Sequence, residues 1–176
     1  MSDAAPRVGQ FQDRLRRVKL LVLDVDGVLT DGRLFYGPRG ESLKAFHVRD
    51  GYGIKAVAKA GITVAIISGR KSLMVARRAR DLGIRHVQQG VSDKLAALEK
   101  LLKARKLTLA DCACVGDDTP DAPILAAAGL GIAVADAHAD ARSAAVLQTA
   151  QPGGHGAVRE VCDWLIAARA AGTGGT

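Results

Sequence analysis

From Val18 onward the chain alternates short, unbroken apolar runs with stretches of helical periodicity. The runs VKLLVL (18–23), ITVAII (62–67), IRHV (84–87), CACV (112–115) and GIAV (131–134) read as strands. A strand carries such a run when both its faces are buried, and several of them separated by helices specify a parallel sheet covered on both sides. Helices are expected at 51–60, 72–82, 93–105, 121–128 and 156–170, with Ser92 as N-cap of the third and Gly61, Gly83 and Gly129 as C-caps. Leu95, Leu98, Leu101 and Leu102 give the third helix an inward stripe. The fold class that follows is α/β, a doubly wound, Rossmann-like, mostly parallel sheet with helices on both faces.

One segment breaks the alternation. RLFYGPRGESLKAFHV (33–48) places two alternating runs on either side of Gly37-Pro38-Arg39-Gly40, the pattern of a β-hairpin. It is an insertion in a single domain spanning 18–170. The ends, 1–17 and 171–176, are expected to be flexible, and Arg14, Arg16 and Arg17 precede the fold.

Composition narrows the function. At 176 residues there is room for one catalytic domain. Lys plus Arg exceed Asp plus Glu by 25 to 18, which favours acidic partners such as phosphates or carboxylates. Three Phe, two Tyr and one Trp are too few for a base-stacking platform, so no nucleic acid is expected as partner. No apolar run reaches the length of a membrane span, and the first 17 residues lack the apolar centre of a secretory signal, so the expectation is a cytoplasmic protein without a membrane partner. Cys112, Cys114 and Cys162 have no paired metal spacing and are expected to be reduced and buried. None of the four histidines forms a metal-spaced pair.

Ligands of open α/β sheets lie beyond the carboxyl ends of the strands, so the residues found there decide the chemistry. Asp24-Val25-Asp26-Gly27 follows the first strand, Ser68-Gly69-Arg70 the second and Gly116-Asp117-Asp118-Thr119-Pro120-Asp121 the fourth, while Lys94 opens the third helix. Crowded carboxylates repel one another, and a hard divalent cation with oxygen ligands relieves them. Mg²⁺ needs one or two protein carboxylates besides water and a substrate phosphate, and Asp24 and Asp117 could supply them. Asp24 is then the candidate nucleophile, Asp26 the candidate acid and base, and Ser68 and Lys94 the candidates for holding phosphoryl oxygens. Asp118 and Asp121 either cap the following helix or serve the site from behind, Asp121 by orienting Lys94.

DVDGVLTDG, ISGR, Lys94 and GDDTPD, in that order, resemble the four motifs of the haloacid dehalogenase superfamily of aspartate-nucleophile phosphotransferases. The likeness extends from about Val18 to Leu165. FHVRDGYGIK, GDDTPDAP, VADAH and GGHGAVREVCDWL are similar to the branch that acts on 3-deoxy-D-manno-octulosonate 8-phosphate. That resemblance implies a capless, Mg²⁺-dependent phosphomonoesterase working through a phosphoaspartyl intermediate in lipopolysaccharide synthesis. It also implies a homotetramer with shared active sites. It makes Asp24, Asp26 and Asp117 metal-binding, Asp26 through its backbone carbonyl, and Ser68 and Lys94 phosphate-holding. It adds His47, Val48, Arg49, Asp50, Gly51, Lys55, Arg70 and Arg78 as substrate contacts. The chain departs from the branch at His47, where Asn is expected, and at Lys55 and His155, where Arg is.

Two rivals remain at this level. A phosphatase of a nine-carbon keto sugar acid phosphate would carry the same four motifs. A non-catalytic oligomerisation module could dispense with a carboxylate, whereas Asp24, Asp26 and Asp117 are all present. Positions 25–67 number 43, of which 16 form the hairpin, leaving no room for a cap domain. A neighbouring subunit is therefore expected to roof the site, through the exposed apolar residues Leu34, Tyr36, Leu43 and Phe46 of the hairpin and through Gly153-Gly154-His155-Gly156.

Overall fold

The computed structural model describes residues 8–173, with side chains described through residue 171. Six strands form one sheet: β1 (Leu20–Leu23), β4 (Thr63–Ser68), β5 (His86–Gln89), β6 (Cys112–Gly116), β7 (Leu130–Ala133) and β8 (Leu147–Gln148). Their order is β5-β4-β1-β6-β7-β8 and every pairing is parallel. β1 and β6 are buried throughout, which is why their sequences show no polar alternation. The hairpin is present as an antiparallel pair, β2 (Phe35–Gly37) and β3 (Gly40–Leu43), outside the main sheet.

The helices are α1 (Gln12–Arg17), α2 (Val48–Lys59), α3 (Leu73–Leu82), α4 (Lys94–Arg105), α5 (Ala122–Ala127), α6 (Ala139–Ala144) and α7 (Ala157–Thr173). α2 packs on α7 and α3, and α1 on α7; α4 packs on α5, and α5 on α6. Parallel crossovers are right-handed as a rule, so the connections from β1 through α2 to β4, and from β5 back through α4 to β6, put these two groups on opposite faces of the sheet. The chain reverses direction across the sheet at β1. The crevice past its carboxyl end, between the loops of β4 and β6, is where such a sheet binds its ligand.

Several expectations are corrected. Residues 12–17 are helical rather than flexible: Leu15 is completely buried, and Arg16 Nε donates to the Ala168 carbonyl at 3.4 Å. One buried leucine is enough to dock a single-sided turn of helix, and a lone apolar position gives no periodicity to read. Arg17 accordingly belongs to the fold, pairing with Asp111 at 3.8 Å beside Lys19 at 3.2 Å. α7 runs on to Thr173, so residues 171–173 are helical rather than flexible, and the rest of the expected tail, 174–176, lies outside the described residues, as does the start of the expected N-terminal segment, 1–7. Asp93, not Ser92, caps α4, accepting from the Ala96 amide at 2.9 Å. Gly61 and Gly83 do turn left-handed after their helices, but Gly129 does not; its missing Cβ admits the Ala110 carbonyl, 2.6 Å from where that atom would lie. Cys112, Cys114 and Cys162 are free and buried as expected. Among the described residues no helix is long and apolar enough to cross a membrane.

Candidate active site

The loop after β1 carries the chemistry, and Thr30 shapes it. Its buried hydroxyl oxygen accepts from the amides of Gly27 (3.4 Å) and Gly32 (3.2 Å) and donates to the Val25 carbonyl (3.4 Å). Gly27 takes φ +88°, a left-handed turn that brings the backbone against Asp117: a Cβ there would lie 2.0 Å from Asp117 Oδ2. From behind, Gly153 covers the Gly27 carbonyl so closely that its own Cβ would overlap it, and Gly154 N donates to Val28 O at 2.9 Å. The glycine-rich segment thus braces the loop of its own chain.

A concave site is lined by Asp24, Asp26, Ser68, Arg70, Lys94, Asp117, Asp118 and Asp121, together with Gly69 and Pro120. β1, β4 and β6 therefore deliver their terminal residues to one place, as the strand-end reading expects. Lys94, at the start of α4, is buried and holds Asp24 Oδ1 at 3.0 Å and Asp121 Oδ1 at 2.5 Å. Asp121 Oδ2 accepts from the amides of Asp117 (3.0 Å) and Asp118 (3.3 Å), so Asp121 orients both Lys94 and the loop after β6. Asp118 caps the short 3₁₀ turn 119–121 through the Thr119 amide at 2.7 Å. Capping and lining the pocket are thus compatible roles for it.

Asp24, Asp117 and Asp121 each offer an oxygen within 4.8 Å of the others. Asp121 is spent on Lys94, whereas Asp117 Oδ1 is buried with no hydrogen-bond partner. A buried carboxylate oxygen without a donor is costly unless a cation meets it. Burial, then Asp24 and its acidic neighbours, pushes Asp117 up to about 8. Burial, then Asp121, pushes Asp24 up to about 6, against the opposing pull of Lys94. Burial alone would lower the Lys94 ammonium, but Asp24 and Asp121 hold it above its ordinary value. One ammonium cannot satisfy three carboxylates, and the donor set of hard oxygens fits Mg²⁺ held by Asp24 and Asp117. The Asp26 carboxylate lies apart from that set, paired with Lys44 and, at 3.6 Å, with Arg70 Nε.

The remaining expected substrate contacts do not line this pocket. Asp50 is buried and accepts from the Arg159 amide at 2.8 Å, tying α2 to α7, so the reading of it as a substrate contact is corrected to a tether within the chain. Gly51 is also buried, with Arg78 lying where its Cβ would be, and Arg78 in turn stacks on Phe46 at 5.8 Å. That contact corrects the expectation of an exposed Phe46. His47 caps α2 through the Arg49 amide, Val48 is 77% exposed, and Lys55 is exposed on α2. Arg49 lines a separate cavity with His155, Arg159 and Trp164. Sequence reasoning missed Lys44 altogether: Glu41-x-x-Lys44 in a hairpin reads as a solvent ion pair.

Comparison with known proteins agrees with this geometry. Residues 86–160 match the family model of the haloacid dehalogenase-like hydrolases. A 3-deoxy-D-manno-octulosonate 8-phosphate phosphatase of Yersinia pestis is 47% identical over 156 residues, covering 89% of this chain and 83% of that protein. The corresponding enzyme of Escherichia coli K12 is 49% identical over the same shares. Among solved structures, the phosphatase of Moraxella catarrhalis in complex with magnesium ion, phosphate ion and KDO superimposes with a TM-score of 0.90 at 43% identity, covering 92% of this chain and 93% of that one. A cobalt-bound relative from Haemophilus influenzae gives 0.87 at 42% identity, covering 93% and 96%.

Proposed function

The chain belongs to the family of 3-deoxy-D-manno-octulosonate 8-phosphate phosphatases, within the haloacid dehalogenase-like hydrolases, and from that premise we propose how its own residues do the work. The reaction is hydrolysis of the 8-phosphate monoester to the free sugar acid and inorganic phosphate, a step of lipopolysaccharide biosynthesis, with Mg²⁺ as cofactor. The observation that carries it is Lys94 bridging Asp24 and Asp121 beside the orphaned oxygen of Asp117.

Asp24 and Asp117, with the Asp26 carbonyl, hold the Mg²⁺, which when bound neutralises charge as the anionic nucleophile meets the anionic phosphoryl group. An Asp24 carboxylate oxygen attacks phosphorus as the bond to the sugar oxygen breaks, and Asp26 gives that oxygen its proton. Asp26 then takes a proton from water, whose oxygen attacks phosphorus and frees Asp24. Lys94 Nζ holds Asp24 in place and, with the Ser68 hydroxyl, donates to the phosphoryl oxygens. Arg70, 42% exposed on its side chain, keeps surface with which to meet the sugar carboxylate.

The assembly is a homotetramer in which neighbouring subunits complete each site. Leu34, Phe35, Tyr36 and Leu43 of the hairpin, Val48 and Tyr52 of α2 and Leu73 of α3 are large apolar side chains left exposed. His47, Val48, Arg49 and Lys55, which do not line their own pocket, are the residues such a neighbour would contribute.

The test is phosphate release from 3-deoxy-D-manno-octulosonate 8-phosphate with and without Mg²⁺, for the wild type and for Asp24→Asn. Release that needs the metal and vanishes in Asp24→Asn is expected, and metal-independent release or an active Asp24→Asn sinks the mechanism. Light scattering on the same sample tests the assembly: a monomer of 18.3 kDa with full selectivity would overturn it.

A further inference from the structure

The hairpin reaches back into the catalytic pocket of its own chain through one side chain. Lys44, immediately after β3, is 1% exposed on its side chain and places its Nζ against Asp26 Oδ1 and, at 2.8 Å, against Glu41 Oε1. Arg70 closes the group from the other side, with Nε 3.6 Å from Asp26 Oδ2, a terminal nitrogen 3.5 Å from Glu41 Oε1 and the same nitrogen donating to the Tyr36 hydroxyl at 3.3 Å. Tyr36, Glu41 and Lys44 all come from the hairpin, so it meets the acid–base residue with a fixed array of charge.

The two cations facing Asp26 differ in what they can still do. Arg70 retains exposed surface and can take a ligand. Lys44 has none, and a buried ammonium is tolerable only where anions surround it. Both of its anions are protein carboxylates. The pairing also divides the oxygens of Asp26: Oδ1 is engaged by Lys44, while Oδ2 has Arg70 only at a looser distance. An acid–base residue must present one oxygen to the reacting atom in a defined direction, since small misplacements at such a group are costly in rate.

We propose that Lys44 is a positioning residue for the reaction: it clamps Asp26 Oδ1 so that Oδ2 is the oxygen that exchanges the proton, which makes the hairpin part of the catalytic apparatus as well as an interaction surface. The proposal rests on the phosphatase reading above. In the first half-reaction the proton leaves Oδ2 for the sugar oxygen as its bond to phosphorus breaks. In the second, Oδ2 takes a proton from the attacking water as the bond between Asp24 and phosphorus breaks. Lys44 keeps its own protons throughout.

The experiment compares the wild type, Lys44→Met, Lys44→Arg, Asp26→Asn and the Asp26→Asn/Lys44→Met double variant, each with Mg²⁺, on 3-deoxy-D-manno-octulosonate 8-phosphate and on p-nitrophenyl phosphate. On the sugar acid phosphate, Lys44→Met should lower kcat by about 10²-fold, the lower end of what acid–base help is worth, with KM within about threefold of wild type. Lys44→Arg should recover a large part of the loss. In single-turnover transfer from p-nitrophenyl phosphate, whose leaving group needs no proton, Lys44→Met should cost less than about fivefold. Once Asp26 is Asn, adding Lys44→Met should cost less than about threefold more, because the group it acts through is gone. Additive losses, equal losses on the two esters, or a raised KM at unchanged kcat would overturn the clamp. Thermal melting checks that each variant is folded at the assay temperature. Should Lys44→Met not fold, Glu41→Gln/Lys44→Met, which removes one of the stranded carboxylates, carries the same comparison. A wild type inactive on both esters would overturn the phosphatase reading together with the clamp, whereas an active wild type matched by Lys44→Met overturns the clamp alone.

Discussion

Replacing Gly27 by Ala separates the metal site from the fold. The added Cβ would lie 2.0 Å from Asp117 Oδ2 and 2.4 Å from Asp117 Cγ. Non-bonded heavy atoms settle at about 3.5 Å, so the carboxylate must retreat by roughly 1.5 Å. Mg²⁺ demands ligands at about 2.0–2.1 Å in near-octahedral array, and a carboxylate moved that far leaves the set. Disturbing only the residues that support a ligand costs about 10–100-fold in metal affinity, so displacing the ligand itself should raise the half-saturating Mg²⁺ by at least that factor. The left-handed backbone at φ +88° adds a folding penalty of about 1–2 kcal/mol for a residue with a Cβ. In a chain of this length, that is a fall in Tm of about 2–8 °C. Activity is titrated against Mg²⁺, and melting is followed separately in the metal-free protein. A Gly27→Ala enzyme with the wild-type Mg²⁺ half-saturation, whatever its melting temperature, would refute Asp117 as a metal ligand.

Three further outcomes rest on the same site and fold. Asp24 and Asp117 are raised to about 6 and about 8 in the metal-free fold, so the folded chain holds protons more tightly than the unfolded one. The stability this contributes is fully present below the unfolded value of 3.8 and is lost as pH rises through about 6 and about 8. Because protons compete with the metal for the same oxygens, calorimetry should show Mg²⁺ raising Tm more above pH 8 than below pH 6, and a larger rise in acid would contradict the assignment. Leu15→Ala should cost about 2–5 kcal/mol in denaturant unfolding with kcat unchanged, and a loss under about 0.5 kcal/mol would mean that α1 does not dock. Arg70→Ala should raise KM for the sugar acid phosphate more than for p-nitrophenyl phosphate, since only the former brings a carboxylate; equal effects would make Arg70 structural.

The sheet was legible because burial on both faces writes strands as unbroken apolar runs, and the site because a doubly wound sheet gathers whatever follows β1, β4 and β6. Asp24, Ser68 and Asp117 needed nothing more, and Lys94 was marked by its place at the start of α4. Elements whose stability is tertiary left no such trace. α1 docks by one leucine, and β8 is two residues long at the sheet's edge. Asp50 illustrates the converse limit: its place in a motif suggested a ligand contact, while its partner, the Arg159 amide, lies 109 residues away. Lys44 was hidden for a similar reason, since an i, i+3 pair with Glu41 looks complete by itself and nothing local reveals that Asp26 is the second anion.

The seating of Gly153 against the Gly27 carbonyl ties the nucleophile's loop to a segment that the ribosome adds more than a hundred residues later. β1 is likewise flanked by β6, so Leu20 waits for Cys112 before its second edge is paired. Contacts of that span pay their loop-closure entropy before they return any stability, and they fold late. During synthesis, Asp24 therefore emerges well before Gly153 and acquires its working geometry only after that segment has followed. Nascent and truncated chains that end before Gly153 carry every residue of the catalytic set without the brace that shapes its first loop, so phosphatase activity is a property of the completed domain and not of any growing intermediate.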